Sequence, residues 1–389
     1  MADPTELRIL ITRLSALGDC VLTLPVLCAL RDHFPRASIS WLIQHESAAL
    51  LRSHPDLSEV IPVRKGWLKS FREIRRIRSE LRARNFDVVI DPQGLTKSSL
   101  AGWLSGSRRR IGLASPKGRE VSVLLNNELI HPAQHVVQRY LNLLQPLGIA
   151  NPESRFRLPR VADAVGEVGS FIATHQLQHG YVVLNPGAGW PSKRWPTERY
   201  AAVARHLFRQ FGITSVANGF GSAERTLVED ICQSARGCVI PAPEYSLPSL
   251  VELLRLARFF VGSDTGPMHI AAAVETPCIA LFGPTRREEI GPADRMHTSL
   301  QTWYQHGSTR YRRSAANYAM QAITVDEVIS VCEHLVTQKG DAVTPAAATR
   351  HGVPRTQPPS SRSSRTHPAP REHGTDRRQT SPSRREVPI

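Results

Sequence analysis

The chain has 389 residues, 41% of them hydrophobic, which is enough for two domain cores at about 100 to 200 residues each. Its formal charge of +15 points to anionic partners, whether nucleotides, nucleic acid, phosphorylated glycolipid or a membrane surface, without choosing among them. Six scattered cysteines with no CxxC or His–Cys cluster argue against a disulfide framework and against structural zinc, and fit reduced core thiols.

Residues 341–389 hold nine arginines against four acidic residues, so +10 of the charge lies in the first 340 residues. The body as well as the tail is therefore basic. Strand character begins almost at once, at Leu7 to Ile11, with no basic region, apolar segment and cleavage site before it. No apolar run reaches the roughly 18 residues that a membrane span requires. The expected location is the cytoplasm, with room for peripheral contact at the cytoplasmic face of the inner membrane.

In chain order, residues 7–13 read as a buried first strand. The turn Ser15-Ala16-Leu17-Gly18 follows, and then a helix with Val21, Leu24, Leu27 and Leu30 at helical spacing. Ile39 to Ile43 is the next strand. Trp67 to Arg84 reads as a long basic helix with Phe71, Ile74, Ile77 and Leu81 on one face, covering the domain's own core. Phe86 to Ile90 returns to strand character and ends at Asp91. Residues 151–170 are weakly patterned and are the expected linker region. A second unit starts at Tyr181 to Leu184, with further strands at 213–217, 238–240, 259–262 and 278–282. Helices are expected near 196, 223–235, 248–258 and 267–274, and a last one at 325–336 packs on either domain. Strands alternating with helices predict two α/β units with mainly parallel sheets, spanning 1–160 and 161–340. Beyond residue 340, Pro, Ser, Thr, Arg and Gly dominate, and the segment cannot bury enough apolar surface to order itself.

Three turns carry candidate chemistry. In open α/β sheets ligands sit beyond the carboxyl ends of the strands. There Gly18 allows close backbone approach, and Asp19 fits either a base that takes an acceptor proton or an ordinary helix cap. The spacing is not GxGxxG, which disfavours a dinucleotide-dependent oxidoreductase. Asn185 to Trp195 joins a tight turn to Lys193 and Arg194, suited to holding a diphosphate or to being a solvated basic loop. In Val261 to His269, Asp264 ends an apolar strand and Thr265, Gly266, Pro267 and Met268 open the next helix, a suitable phosphate seat. His269 fits either a phosphate contact or a packed helix position.

Five segments occur here in the order found in the ADP-heptose:lipopolysaccharide heptosyltransferases (glycosyltransferase family 9). They are Arg13 to Asp19, Asp91 to Ser98, Asn185 to Trp195, Ser263 to His269 and Leu281 to Thr285. The chain resembles that family over roughly residues 7 to 336, and Asp91 to Ser98 is most similar to lipopolysaccharide heptosyltransferase I. The resemblance implies a GT-B fold, with an N-terminal Rossmann-like acceptor domain and a C-terminal nucleotide-sugar domain facing a cleft. It further implies an ADP-heptose donor, a Kdo-lipid A acceptor, inversion at the anomeric carbon, and no cofactor or required metal. Asp19 takes the position of the family's general base. Lys193 matches the lysine that assists the diphosphate. Asp264, Thr265 and Gly266 match donor contacts, extended here to Pro267, Met268 and His269, and Glu224 resembles a ribose contact.

Arg64, Lys65, Lys69, Lys97 and Arg119 are candidates for acceptor phosphates or carboxylates. Relatives often carry a cysteine-containing segment before the last helix, where this chain has Trp303 to Gly307 and then a basic stretch, so no role is transferred there. Two alternatives stand beside this reading. One is a related glycosyltransferase using another sugar nucleotide or surface glycan; the other is a non-catalytic protein binding nucleotide or nucleic acid. The sequence carries no recognisable nucleic-acid module, so no specific nucleic-acid partner is expected.

Overall fold

The computed structural model describes residues 7–114 and 121–338. Arg119 and the basic tail lie outside the described residues. The N-terminal sheet has six parallel strands: β1 (Arg8–Thr12), β2 (Ser38–Gln44), β3 (Glu59–Val63), β4 (Val88–Asp91), β5 (Arg109–Leu113) and β6 (Glu128–Ile130). The C-terminal sheet has six more: β7 (Tyr181–Asn185), β8 (Thr214–Ala217), β9 (Val239–Pro241), β10 (Phe259–Ser263), β11 (Cys278–Leu281) and β12 (Thr298–Leu300). The strand orders are β3-β2-β1-β4-β5-β6 and β12-β11-β10-β7-β8-β9. Numbered within its own half, the second is the first read backwards, so both sheets share the doubly wound order. In each, the crevice lies where the first and fourth strands meet.

Alternation along each strand divides the cores. Ile9, Ile11, Ile39, Trp41 and Ile90 face one side of the N-terminal sheet, while Leu10, Leu42 and Val89 face the other. In the C-terminal sheet, Tyr181, Val183 and Phe260 point one way, and Val182, Leu184, Phe259 and Val261 the other. The inner faces of both sheets belong to one continuous apolar cluster that crosses from half to half. The last helix, Val325–Gln338, packs Val328, Cys332 and Val336 into the C-terminal core only.

Two helices differ from the sequence reading. Trp67–Lys69 is a short 3-10 turn, and the α-helix runs from Phe71 to Arg82 with a Ser70 cap. Ile77 and Leu81 are buried, but Phe71, in the first turn, is 87% exposed. Residues 162–170, expected within a linker, belong to the helix Ala162–Thr174, which buries Ala164, Val168 and Phe171. Those three positions make a narrow apolar stripe that the alanines and glycines around them obscure. Of the six cysteines only Cys232 is not buried, all are free thiols, and burial pushes the Cys20 thiol up to about 12.

Candidate active site

The N-terminal rim is built on the turn after β1. Leu17–Val21 is a five-residue helix, and Asp19 in its first turn accepts the Ala16 N–H at Oδ2, 3.3 Å away. The same oxygen meets Arg13 Nη2 at 2.8 Å. Both protein contacts fall on Oδ2, so Oδ1 is left to the solvent side of a carboxylate that is one-third exposed. Arg13 is itself buried, donates to the Pro92 carbonyl at 3.0 Å, and stacks over the Tyr140 ring at 5.1 Å. Burial works against its charge, but Asp19 prevails and raises the guanidinium pKa.

The loop after β4 is held by Asp91. Its Oδ1 accepts the Gln93 and Gly94 N–H groups at 3.2 and 3.0 Å, and Oδ2 accepts Asn126 Nδ2 at 3.1 Å. Burial pushes this carboxyl up, only partly countered by Ser98, Asn126 and the Gly94 N–H. Gln93 in turn accepts the Leu14 N–H at 2.8 Å, and Lys97 Nζ donates to Ser15 Oγ at 2.7 Å, which ties the β4 loop to the β1 loop.

The C-terminal rim centres on a buried ion pair. Lys193 Nζ lies 2.6 Å from Asp264 Oδ2 and donates to the Asp264 carbonyl at 3.0 Å. Its own carbonyl accepts Ser263 Oγ at 2.6 Å, so the lysine is fixed at both ends. His269 Nε2 sits 3.1 Å from Asp264 Oδ1. Burial alone would raise the Asp264 pKa; Lys193 and His269 overcome it and hold the carboxylate well below its usual range. Thr265 caps the helix Gly266–Ala273, and Met268 is fully buried with its side chain in the core, so at that position only backbone faces a ligand. The Glu224 carboxylate accepts the Phe220 N–H at 2.9 Å and occupies the space that a side chain at Gly187 would fill.

The two rims touch. A Cβ placed on Gly18 would stand 2.7 Å from His269 Cδ2 and 3.4 Å from Gly266 Cα, and one on Gly266 would stand 3.0 Å from Leu17. Only glycine allows this approach, which sets Asp19 next to the helix carrying His269. A second bridge between the halves joins His135 Nε2 to the Gly291 carbonyl at 2.9 Å.

A cavity of about 720 Å³ opens beside Asp19. Arg13, Asp19 and Lys97 line it, as do Gln93, Arg139 and Arg313. The sequence reading missed Arg139 and Arg313. Arg139 lies in the helix Val136–Leu141, and Arg313 arrives from the basic stretch after Gly307, on the helix Thr309–Ser314. Of the other acceptor candidates, Arg64 and Lys65 line a separate depression of about 540 Å³ with Arg72 and Arg76, and Lys69 is exposed nearby. Among the described residues, no group of three or more His, Cys, Asp or Glu side chains is placed to hold a metal ion, and no helix is long and apolar enough to cross a membrane.

Two doubly wound parallel sheets, with a carboxylate on one side of the crevice and a lysine–aspartate pair on the other, define a glycosyltransferase of the GT-B type. A model of glycosyltransferase family 9 (heptosyltransferase) matches residues 74–319, and the chain belongs to that family. Lipopolysaccharide heptosyltransferase 1 of Pseudomonas aeruginosa is 30% identical over 311 residues, 76% of this chain and 83% of that protein. Lipopolysaccharide heptosyltransferase 3 of Escherichia coli is 27% identical over 337 residues, 82% of this chain and 96% of its own length. The structure of E. coli heptosyltransferase WaaC with ADP-2-deoxy-2-fluoro heptose superposes with a TM-score of 0.67 at 25% identity, covering 84% of this chain and 99% of the other.

Proposed function

We propose that the chain transfers L-glycero-D-manno-heptose from ADP-heptose to the Kdo-lipid A inner core, in the manner of lipopolysaccharide heptosyltransferase I. In this reading residues 1–160 receive the acceptor and residues 161–340 the nucleotide sugar. The work is done in the cytoplasm, where the basic surface favours peripheral contact with the inner membrane. The names of the relatives support the substrate class, and the Asp91 to Ser98 segment supports the subtype.

The observation that carries the proposal is the setting of Asp19. Arg13 and the Ala16 N–H both hold Oδ2, which leaves Oδ1 to take a proton. The acceptor hydroxyl loses that proton to Asp19 as its oxygen attacks the anomeric carbon from the face opposite ADP. The bond to the diphosphate oxygen breaks with inversion, and ADP leaves with the electron pair. Proximity and general-base assistance together lower the barrier. Lys193, the N-cap N–H of Thr265 and the first-turn N–H groups of Gly266 and Met268 meet the charge growing on the diphosphate, so the step needs no metal. Pro267 contributes shape rather than a donor, having no N–H. His269 holds Asp264 toward Lys193, and Glu224 is placed against the Gly187 turn to receive the ribose. On the acceptor side Lys97 stands at the cavity, with Arg64, Lys65 and Lys69 assigned to more distant anionic groups, and Arg119 is assigned to the acceptor from the sequence alone.

Product analysis with purified protein, ADP-heptose and Kdo-lipid A tests this, with Asp19→Ala as control. Heptosylated lipid from the wild type and severe loss in the variant are expected. No product while donor binding is confirmed would remove the donor–acceptor assignment; product from both proteins would remove Asp19 as the base.

A further inference from the structure

The helix Phe71–Arg82 covers its own sheet with one flank and leaves another in water. Ile77 and Leu81 pack with Leu10, Leu42 and Val89 in the core. Phe71, Arg75, Arg78 and Arg82 follow one another at i, i+4, i+7 and i+11, which lines them up on a single stripe about a quarter-turn from that core face. All of them are exposed. The acids of the helix stand on a different flank. Glu73 and Glu80 both pair with Arg76, at 3.0 and 2.6 Å, in a depression beside β3, where Arg84 pairs with Glu59. Among the described residues Arg75, Arg78 and Arg82 therefore meet no carboxylate in an ion pair.

Apolar side chains accompany this stripe. Phe71 stands at its start, almost wholly in water. The helix Thr96–Leu104 packs alongside on the same face of the sheet, and its Trp103 is 52% exposed. Gly106 donates to the Trp103 carbonyl at 3.1 Å, and a Cβ on Gly106 would lie 3.7 Å from Arg82 Cγ, so the stripe ends at the tryptophan's turn. Beyond it the short helix Ser122–Leu125 packs on Thr96–Leu104 and exposes Leu124 at 80%. Exposed rings and a leucine beside unneutralised arginines suit a lipid surface, where guanidinium groups meet phosphates and apolar tips enter the headgroup layer. A nucleic-acid backbone would satisfy the arginines but leave Leu124, which has no ring to stack on a base, in water.

We propose that the outer face of Phe71–Arg82 and Thr96–Leu104 docks on an anionic lipid bilayer. Arg75, Arg78 and Arg82 meet the lipid phosphates, while Phe71, Trp103 and Leu124 enter the headgroup layer. The inference gives a surface to the peripheral membrane contact proposed above and rests on that part of the reading. Docking along this face sets the N-terminal half, assigned to the acceptor, against the bilayer that holds a lipid acceptor.

Co-sedimentation of the full chain with vesicles tests this, with neither donor nor acceptor present. Vesicles of phosphatidylglycerol in phosphatidylcholine are compared with phosphatidylcholine alone. Wild type should bind the anionic vesicles, and less tightly as salt rises. Arg75→Gln with Arg78→Gln should weaken that binding about tenfold, and Phe71→Ser about threefold. Arg209→Gln with Arg236→Gln removes the same charge from exposed positions of the other half and should change it by less than about twofold. The Arg75/Arg78 and Phe71 variants should keep the wild-type melting temperature and the wild-type turnover of detergent-solubilised acceptor. No binding of wild type to anionic vesicles, no loss in the Arg75/Arg78 variant, or equal losses from both arginine pairs would overturn the proposal. RNA bound more tightly than vesicles, and weakened by Arg75→Gln with Arg78→Gln, would overturn it in favour of nucleic acid. Vesicle binding is read without turnover, so missing product bears on the transfer reaction, and lost vesicle binding with product still formed in detergent bears on this face alone.

Discussion

The two halves of the molecule present the same topological position with opposite chemistry. Asp91 ends the fourth strand of the N-terminal sheet, and Asp264 directly follows the fourth strand of the C-terminal sheet. Both carboxyls are buried. Burial raises the Asp91 pKa against neutral hydrogen-bond donors and the nearby Arg13 charge; Asp264 faces Lys193 and His269, which overcome burial and lower its pKa. A carboxyl at the strand end organises the loop that follows, and what stands opposite decides which way its pKa moves. In the C-terminal half the strand-end carboxylate belongs to the ion pair at the crevice. In the N-terminal half it is structural, and the carboxylate that reaches the cavity is instead Asp19, one-third exposed in the short helix after β1.

The comparison makes Asp19 and Asp91 unequal, and this is where the largest effect is expected. Asp19→Asn should lower kcat about 10³-fold with donor affinity retained. Isothermal titration with ADP beside the transfer assay checks this, and a loss of ADP binding equal to the loss of rate would refute it.

Next in size is the pair on the other side. Lys193→Met leaves Asp264 buried without its cation and should destabilise the fold by about 3–5 kcal/mol, read from urea denaturation. Adding Asp264→Asn should restore most of that stability but none of the donor affinity. If the double variant is no more stable than the single one, the pair is not what Lys193 contributes.

Gly18→Ala tests the contact between the halves. With His269 Cδ2 only 2.7 Å from the new methyl group, a cost of about 1–3 kcal/mol is expected, together with slower transfer. Gly266→Ala, which meets the flexible Leu17 side chain at 3.0 Å, should cost less. Equal penalties would show that the two glycines are not distinguished by what they touch.

The smallest effect is the sharpest in sign. Asp264 has a folded pKa below its ordinary value of 3.8, so its stabilisation is present above that pH and is lost as pH falls through the folded value. The stability advantage of wild type over Asp264→Asn should therefore narrow below about pH 4. Asp91 has a raised pKa, so its contribution is full below 3.8 and is lost as pH rises through the folded value. Asp91→Asn should gain on wild type over that rise. Denaturation midpoints across the acid range decide it; trends of the same sign in both variants would contradict the opposite shifts of the two carboxyls.

Much of this was legible in the sequence for a physical reason. β1, β2, β7, β10 and β11 are mostly buried runs of β-branched, aliphatic and aromatic residues, and each was readable as such. β3, β5, β6 and β12 were not. Arg109–Leu113 begins with two arginines, and Glu128–Ile130 and Thr298–Leu300 are short edge strands with no fully buried residue. Asp19, Lys193 and Asp264 stood out because each lies in a turn just past a strand, where local sequence and ligand geometry coincide. Arg139 and Arg313 were hidden because their meeting depends on how the halves approach. Nothing near Arg313 in sequence signals that Arg312 donates to the Pro284 carbonyl while its neighbour lines the cavity.

The glycine contact at Gly18 places a fulcrum one residue from Asp19. Parts of a body close to a fulcrum scarcely travel while distant parts swing through long arcs. Asp19 and the His269–Asp264 pair sit on the short arm. Any rotation of one half on the other about this contact would displace Asp19 and the His269–Asp264 pair less than groups far from it, so the facing chemistry of the two rims is tied to the glycine.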